Sequence, residues 1–190
     1  MSTVALTFDD GPDAAFTPRI LDLLAAARAT ATFFPIAPRA EAHPRLIARM
    51  LHEGHTVGLH CEEHIRHGER DADWCARDAD RGLGRLRGLG VQPTLWRTPW
   101  GDVAPWTQRV ARARGLRLVD WTVDTHDWRG DAAADMYAAV RPGLTAAAIV
   151  LAHDGIGPGA RRSGAGATVA FTQLVVDHAH RAGLSLRALR

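Results

Sequence analysis

The sequence contains no lysine, so all 23 basic side chains among its 190 residues are arginine. With its abundant alanine and glycine, that reads as coding bias from a GC-rich genome, not as a binding device. The arginines are scattered, and GARR at 159–162 is the nearest approach to a patch. Formal net charge is only +2, whereas nucleic-acid binding leaves a more concentrated basic footprint; no nucleic-acid partner is expected. Cysteine is almost as scarce. Cys61 and Cys75 make neither a disulfide framework nor a paired Cys-x-x-Cys site, so each reads as a reduced, at least partly buried thiol. No window approaches the roughly 18 uninterrupted apolar residues of a membrane helix, which removes a membrane partner. No basic segment, apolar stretch and small-residue cleavage site precedes the first strand-like run. The expectation is therefore a cytoplasmic protein, or a secreted one if a leader was trimmed.

What is present is an alternation of short strand-like and helix-like segments from end to end. The strand-like runs are VALTF (4–8), ATATFFPIA (29–37), HTVGLH (55–60), PTLWRTP (93–99), LRLVDWTV (116–123), AAIVLAH (147–153) and LSLRAL (184–189). Helices are expected from Thr17, a plausible N-cap with Pro18 at the first helical position, and over 43–53, with Gly54 as the stop signal. Further helices are expected over 71–90, 104–114, 131–140 and 168–183, and the glycine-rich stretch 154–167 reads as a surface loop. The length suits one domain over residues 1–190. Strands alternating with helices imply an α/β fold, with parallel strands and helices outside. A regular eight-fold barrel takes about 250 residues, so a barrel of this length would be distorted or incomplete. Asp9–Asp10, His60, Arg97, Asp124–Asp127 and His153 all fall at or just beyond C-terminal strand ends, the edge where parallel folds build sites. Acids and histidines from five strands suit a barrel-like ring better than a single crevice.

Two of these groups suggest specific chemistry. Asp9 and Asp10 are neighbours at a strand tip, so their side chains diverge. His60 and His64 in HCEEH have the spacing that, in a helical turn, places both imidazoles on one face. An Asp with two His makes a ligand set that leaves metal positions open for water and substrate, as catalytic zinc sites do.

Five short motifs then occur in order: TFDDGP (7–12), HCEEH (60–64), RTPWG (97–101), WTVDTHDW (121–128) and LAH (151–153). In this order they resemble the polysaccharide deacetylases, carbohydrate esterase family 4, and they span nearly the whole chain. The resemblance implies a metal-dependent hydrolase that removes N-acetyl groups from N-acetylhexosamine-containing glycans, oligosaccharides or small glycosides. An O-acetyl xylan esterase or an amino-sugar deformylase would share the same oxyanion chemistry. A metal-loaded carbohydrate-binding module without catalysis is the alternative of a different class, and it would have lost the base or the acid.

The resemblance also implies roles. Asp9 would be the general base, and Asp10, His60 and His64 the ligands of a divalent metal: zinc first, with cobalt, nickel or iron also suited to such a site. Arg97 would pair with Asp9 and keep it available as a base, while the backbone N–H of Trp100 would help stabilise the oxyanion. His153 would be the general acid, oriented by Asp127, and Trp121 and Leu151 would line the acetyl pocket. Asp124 could bind substrate or cap a turn. The partner implied is an acetylated carbohydrate; oligomeric state is left open.

The chain departs from the family pattern where Cys61 replaces a hydroxyl residue, Ile65 a proline and His126 an apolar residue. Cys61 is expected to pack inward, with metal ligation and oxidation sensitivity as the other possibilities. His126, Glu62 and Glu63 could alter substrate choice. His43, His52 and His55 are expected at the surface or as caps, Asp102 and Asp154 as loop acids, and Trp100 and Trp128 as flanks of an open sugar cleft.

Overall fold

The computed structural model describes residues 2–190. Its strands are β1 (Thr3–Asp9), β2 (Thr32–Phe34), β3 (Thr56–Val57), β4 (Leu95–Trp96), β5 (Arg117–Leu118), β6 (Val123–Asp124), β7 (Ile149–His153) and β8 (Ser185–Leu186). The helices are α1 (Thr17–Ala26), α2 (Ala37–Ala42), α3 (Pro44–His52), α4 (Ala72–Gly88), α5 (Thr107–Arg112), α6 (Ala133–Val140) and α7 (Gly166–Ala182). Every strand pair is parallel. Five strands run in the order β3-β2-β1-β7-β6, β8 pairs with the start of β1, and β4-β5 form a second pair. An isolated bridge between Leu59 and Trp96 joins that pair to the continuation of β3. The result is a parallel α/β ring with helices outside and one opening, between β5 and β6. This is the incomplete barrel expected from the alternating pattern.

Alternation along β1 explains the layers. Leu6 and Phe8 enter the core shared with Ile20, Leu21 and Leu24 of α1 and with Phe171 and Val175 of α7. Phe8 stacks on Phe33 at 5.2 Å. Thr7 and Asp9 are also buried but meet a charged partner, the Arg97 guanidinium. Arg97 is 1% exposed and also bonds the carbonyls of Val119 and Asp120, so it spans from β1 to the chain that follows β5. None of the helices is long and apolar enough to cross a membrane among the described residues.

Several local expectations change. The run 116–123 is two strands, because Asp120 and Trp121 separate β5 from β6. Thr17 is not an N-cap: Phe16 occupies that position, and the Thr17 hydroxyl accepts from the Asp13 N–H and bonds Asp154. The helix expected over 104–114 begins at Thr107, whose hydroxyl accepts from the Ala104 N–H. An unforeseen short helix, α2, follows directly on β2 and opens with Pro38 in its first turn.

Candidate active site

β1 and β7 lie side by side with Asp9 opposite His153 in the register. Two groups with different proton chemistry therefore sit on one rung, about 4.8 Å apart in backbone spacing. Asp9 Oδ1 accepts from Arg97 Nη1 at 3.0 Å, and the same nitrogen donates to the Thr7 hydroxyl at 2.6 Å. One residue on, Asp10 takes a left-handed conformation (φ 69°), which Asp tolerates better than most residues. Its carboxylate turns away from that of Asp9.

Asp10 Oδ1 lies 3.3 Å from His60 Nε2 and 3.2 Å from His64 Nε2. One ligand atom from each of the three residues lies within 4.8 Å of the other two. His60 is fixed from two sides, by the chain that follows β2 and by β4 with its continuation. Its N–H donates to the Pro35 carbonyl, its carbonyl accepts from Trp96 Nε1, and its Nδ1 bonds the Arg97 carbonyl at 2.7 Å. A carbonyl only accepts, so Nδ1 carries the proton, and in the neutral ring the Nε2 lone pair faces Asp10. Asp10 Oδ1 is buried and has no hydrogen-bond partner of its own. An orphaned carboxylate oxygen facing an imidazole lone pair is a cradle for a cation. Two nitrogens and one oxygen suit a borderline divalent metal.

The stretch 60–64 is not helical. The two histidines meet because His60 ends a strand extension while Asp78 of α4 holds the following bend, accepting from the Glu62 and Glu63 N–H groups at 3.1 and 2.8 Å. Burial pushes the Asp78 carboxyl up to about 6 despite those bonds. His64 packs edge-on against Trp100 at 4.2 Å.

His153 Nδ1 donates to Asp127 Oδ1 at 2.7 Å, and the His153 backbone N–H donates to Asp127 Oδ2 at 2.9 Å. Burial opposes the imidazolium, but the Asp127 bond and charge, with the charges of Asp10 and Asp9, push His153 up to about 9. Asp127 is completely buried; burial raises its carboxyl, yet His153, Arg162 and Thr168 hold it below the usual range.

The carboxylates, the histidines and the aromatic rims share one cleft of about 310 Å³. Trp100, Trp121, Asp124, Trp128 and Leu151 all line it. Trp100 adopts φ 54°, a conformation costly for a bulky residue and concentrated at functional sites. The following Gly101 (φ 68°) leaves no room for a Cβ, which would come within 2.6 Å of the Trp121 ring. Asp124 also caps its own turn, accepting from the His126 N–H at 2.8 Å. Arginines stack on both rim tryptophans, Arg66 on Trp100 at 4.5 Å and Arg129 and Arg161 near Trp128.

Some expectations are corrected. Asp154 is not a loop acid: it is 1% exposed and bonds the Thr17 hydroxyl. Burial and the charges of Asp10 and Asp9 push its carboxyl up to about 7, against those bonds. His55 is buried, not a surface or capping residue, and its Nδ1 accepts from the Ala31 N–H at 3.1 Å. Cys61 packs inward as expected; burial pushes its thiol well up. Asp102 accepts from the Gly68 N–H and ties that turn down.

Sequence reasoning missed Arg162, which donates to Asp127 Oδ2 and to the carbonyls of His153 and Gly155. Its only signal was GARR, read as a weak basic patch.

The family model described as "Polysaccharide deacetylase" matches residues 1–119. A chitooligosaccharide deacetylase of Sinorhizobium fredii is 36% identical over 198 residues, covering 98% of this chain and 90% of that protein. A peptidoglycan-N-acetylglucosamine deacetylase of Bacillus cereus is 35% identical over 153 residues, covering 79% of this chain; the chain spans only 55% of that relative. Among solved structures, the Bc1960 peptidoglycan N-acetylglucosamine deacetylase superposes with a TM-score of 0.90 at 29% identity, covering 98% of this chain and 86% of that one. The chain belongs to the polysaccharide deacetylase family.

Proposed function

We propose that this protein is a zinc-dependent hydrolase that removes N-acetyl groups from N-acetylhexosamine-containing glycans, oligosaccharides or small glycosides. The observation that carries the reading is the shared rung of Asp9 and His153 beside the Asp10–His60–His64 cradle. A carboxylate and an imidazolium on adjacent strands, facing one cleft, are what an amide hydrolase needs at the two ends of its reaction. In this reading residues 1–190 act as one catalytic unit, because β1, β7 and the loops between them all contribute to that cleft. The relatives named for chitooligosaccharide and peptidoglycan substrates favour an acetylated amino sugar as the partner.

When bound at Asp10, His60 and His64, the metal supplies Lewis acidity to the acetyl carbonyl and lowers the pKa of water toward about 7. Asp9, oriented by Arg97, accepts a proton from the attacking water at its free carboxylate edge. The Trp100 backbone N–H faces the developing oxyanion, an interaction worth about 3–4 kcal/mol when well aimed. His153 enters as imidazolium, hydrogen-bonded through Nδ1 to Asp127, and hands its Nε2 proton to the departing amine. That protonation contributes roughly 10²–10⁴ in rate. Trp121 and Leu151 hold the acetyl methyl in the cleft, and Trp100 and Trp128 flank the sugar.

The test is acetate release followed by mass spectrometry over N-acetylhexosamines, chitooligomers and acetylated xylan, with metal content measured on the same preparation. Release from the N-acetylated sugars is expected, and Asp9→Asn should lower it by about 10²–10⁴. Equal release by wild type and variant would overturn the base assignment. Turnover confined to xylan would make the protein an esterase instead.

A further inference from the structure

We infer that Arg162 is a positioning residue for the general acid, holding Asp127 so that one carboxylate oxygen is reserved for the His153 ring. The inference rests on the deacetylase reading above. Arg162 comes from the glycine-rich loop after β7, and its neighbour Arg161 is exposed at the rim while Arg162 turns in, its side chain only 4% exposed. Nη1 donates to Asp127 Oδ2 at 3.0 Å and also to the Thr168 hydroxyl. Nη2 donates to the His153 carbonyl at 2.8 Å and to the Gly155 carbonyl at 3.0 Å. One guanidinium therefore grips both the carboxylate and the backbone of the residue that the carboxylate orients.

The division of labour on Asp127 is unequal. Oδ2 takes three donors: the His153 backbone N–H, the Thr168 hydroxyl at 2.6 Å and Arg162 Nη1. Oδ1 takes the His153 Nδ1–H. Saturating Oδ2 fixes the carboxylate plane, and the fixed plane aims an Oδ1 lone pair at the ring, so Nε2 points into the cleft. Without Arg162 the backbone and hydroxyl donors remain, but the His153 and Gly155 carbonyls lose their partner and the end of β7 is freed. A misplacement near 1 Å can cost about 10²-fold in rate. The planar fork matters as well as the charge, because lysine offers one nitrogen where two are used.

The experiment compares two substrates on the zinc-loaded protein. An N-acetylated amino sugar needs its leaving nitrogen protonated; an activated aryl acetate releases a stable anion and needs no acid. Arg162→Gln should lower kcat for the amide by about 10²-fold with KM within about threefold. The ratio of amide to aryl-ester turnover should drop at least about tenfold, as is also expected of His153→Ala. Arg162→Lys, which keeps the charge and guards against a folding defect in the Gln variant, should recover part of the ratio. In the metal-free protein, the low-field Nδ1 proton resonance of His153 should shift upfield in Arg162→Gln. An unchanged ratio in both variants, or an unmoved Nδ1 resonance, would overturn the inference. A wild type inactive on the amide would instead overturn the deacetylase reading, whatever the variants do.

Discussion

Asp127, fully buried, and His153, partly buried, form an ion pair at 2.7 Å, and its charge state sets when the acid is available. His153 is pushed from an ordinary 6.5 up to about 9, so imidazolium is favoured in the folded protein. The part of the stabilisation linked to His153 is fully present below about 6.5 and is lost as pH rises through about 9. Because the acid must carry its proton, kcat/KM should fall on the alkaline side. A metal on Asp10 offsets part of that carboxylate's pull, which places the limb at or below about 9. Asp127→Asn removes the largest supporting charge, so the limb should move to lower pH and kcat should fall by about 10²–10⁴. A pH profile of kcat/KM for both proteins checks this; coincident alkaline limbs would show that His153 is not the group reporting.

The loop between β7 and α7 is shaped by what it passes. A Cβ on Gly157 would come within 2.0 Å of Asp10 Oδ2. Gly157→Ala should therefore displace the carboxylate and weaken zinc binding by about 10–100-fold, the range typical of a disturbed ligand surround. Competition against a chelating dye measures it, and wild-type affinity would mean that the loop, not Asp10, gives way. This is also the element where the sequence was least legible. β1, β7 and the five motifs could be read because each is a contiguous run whose period or residue order carries the signal. Arg162, Thr168 and Asp154 act through partners up to 137 residues away, and nothing local distinguishes an inward arginine from the exposed one beside it. HCEEH pointed to His60 and His64 through the wrong geometry: spacing suggested a helical turn, while a strand end and the Asp78 cap bring the two together. The break between β5 and β6 was hidden because 116–123 has uniform strand character, and only pairing to different partners divides it.

At the scale of the whole molecule, the candidate cradle joins the tip of β1 to the 60–64 bend, two segments that β2 separates and that do not pair directly. Occupancy should therefore register as global stability. A ligand at 100 times its Kd stabilises by about 2.7 kcal/mol, which for a chain of this size corresponds to about 5–11 °C in Tm. Chelation should lower Tm by that amount, and zinc should restore it; an insensitive Tm would mean that the cradle binds no metal tightly. The ring has a second joint of a different kind. Beside the opening between β5 and β6, Arg97 ties the base to the carbonyls of Val119 and Asp120 in the chain that follows β5. The anchoring of that chain and the seating of the base thus depend on one side chain. A substitution that widens the opening to admit a larger sugar also shifts the guanidinium that seats Asp9. Substrate range on that side can only be broadened at the expense of the chemistry.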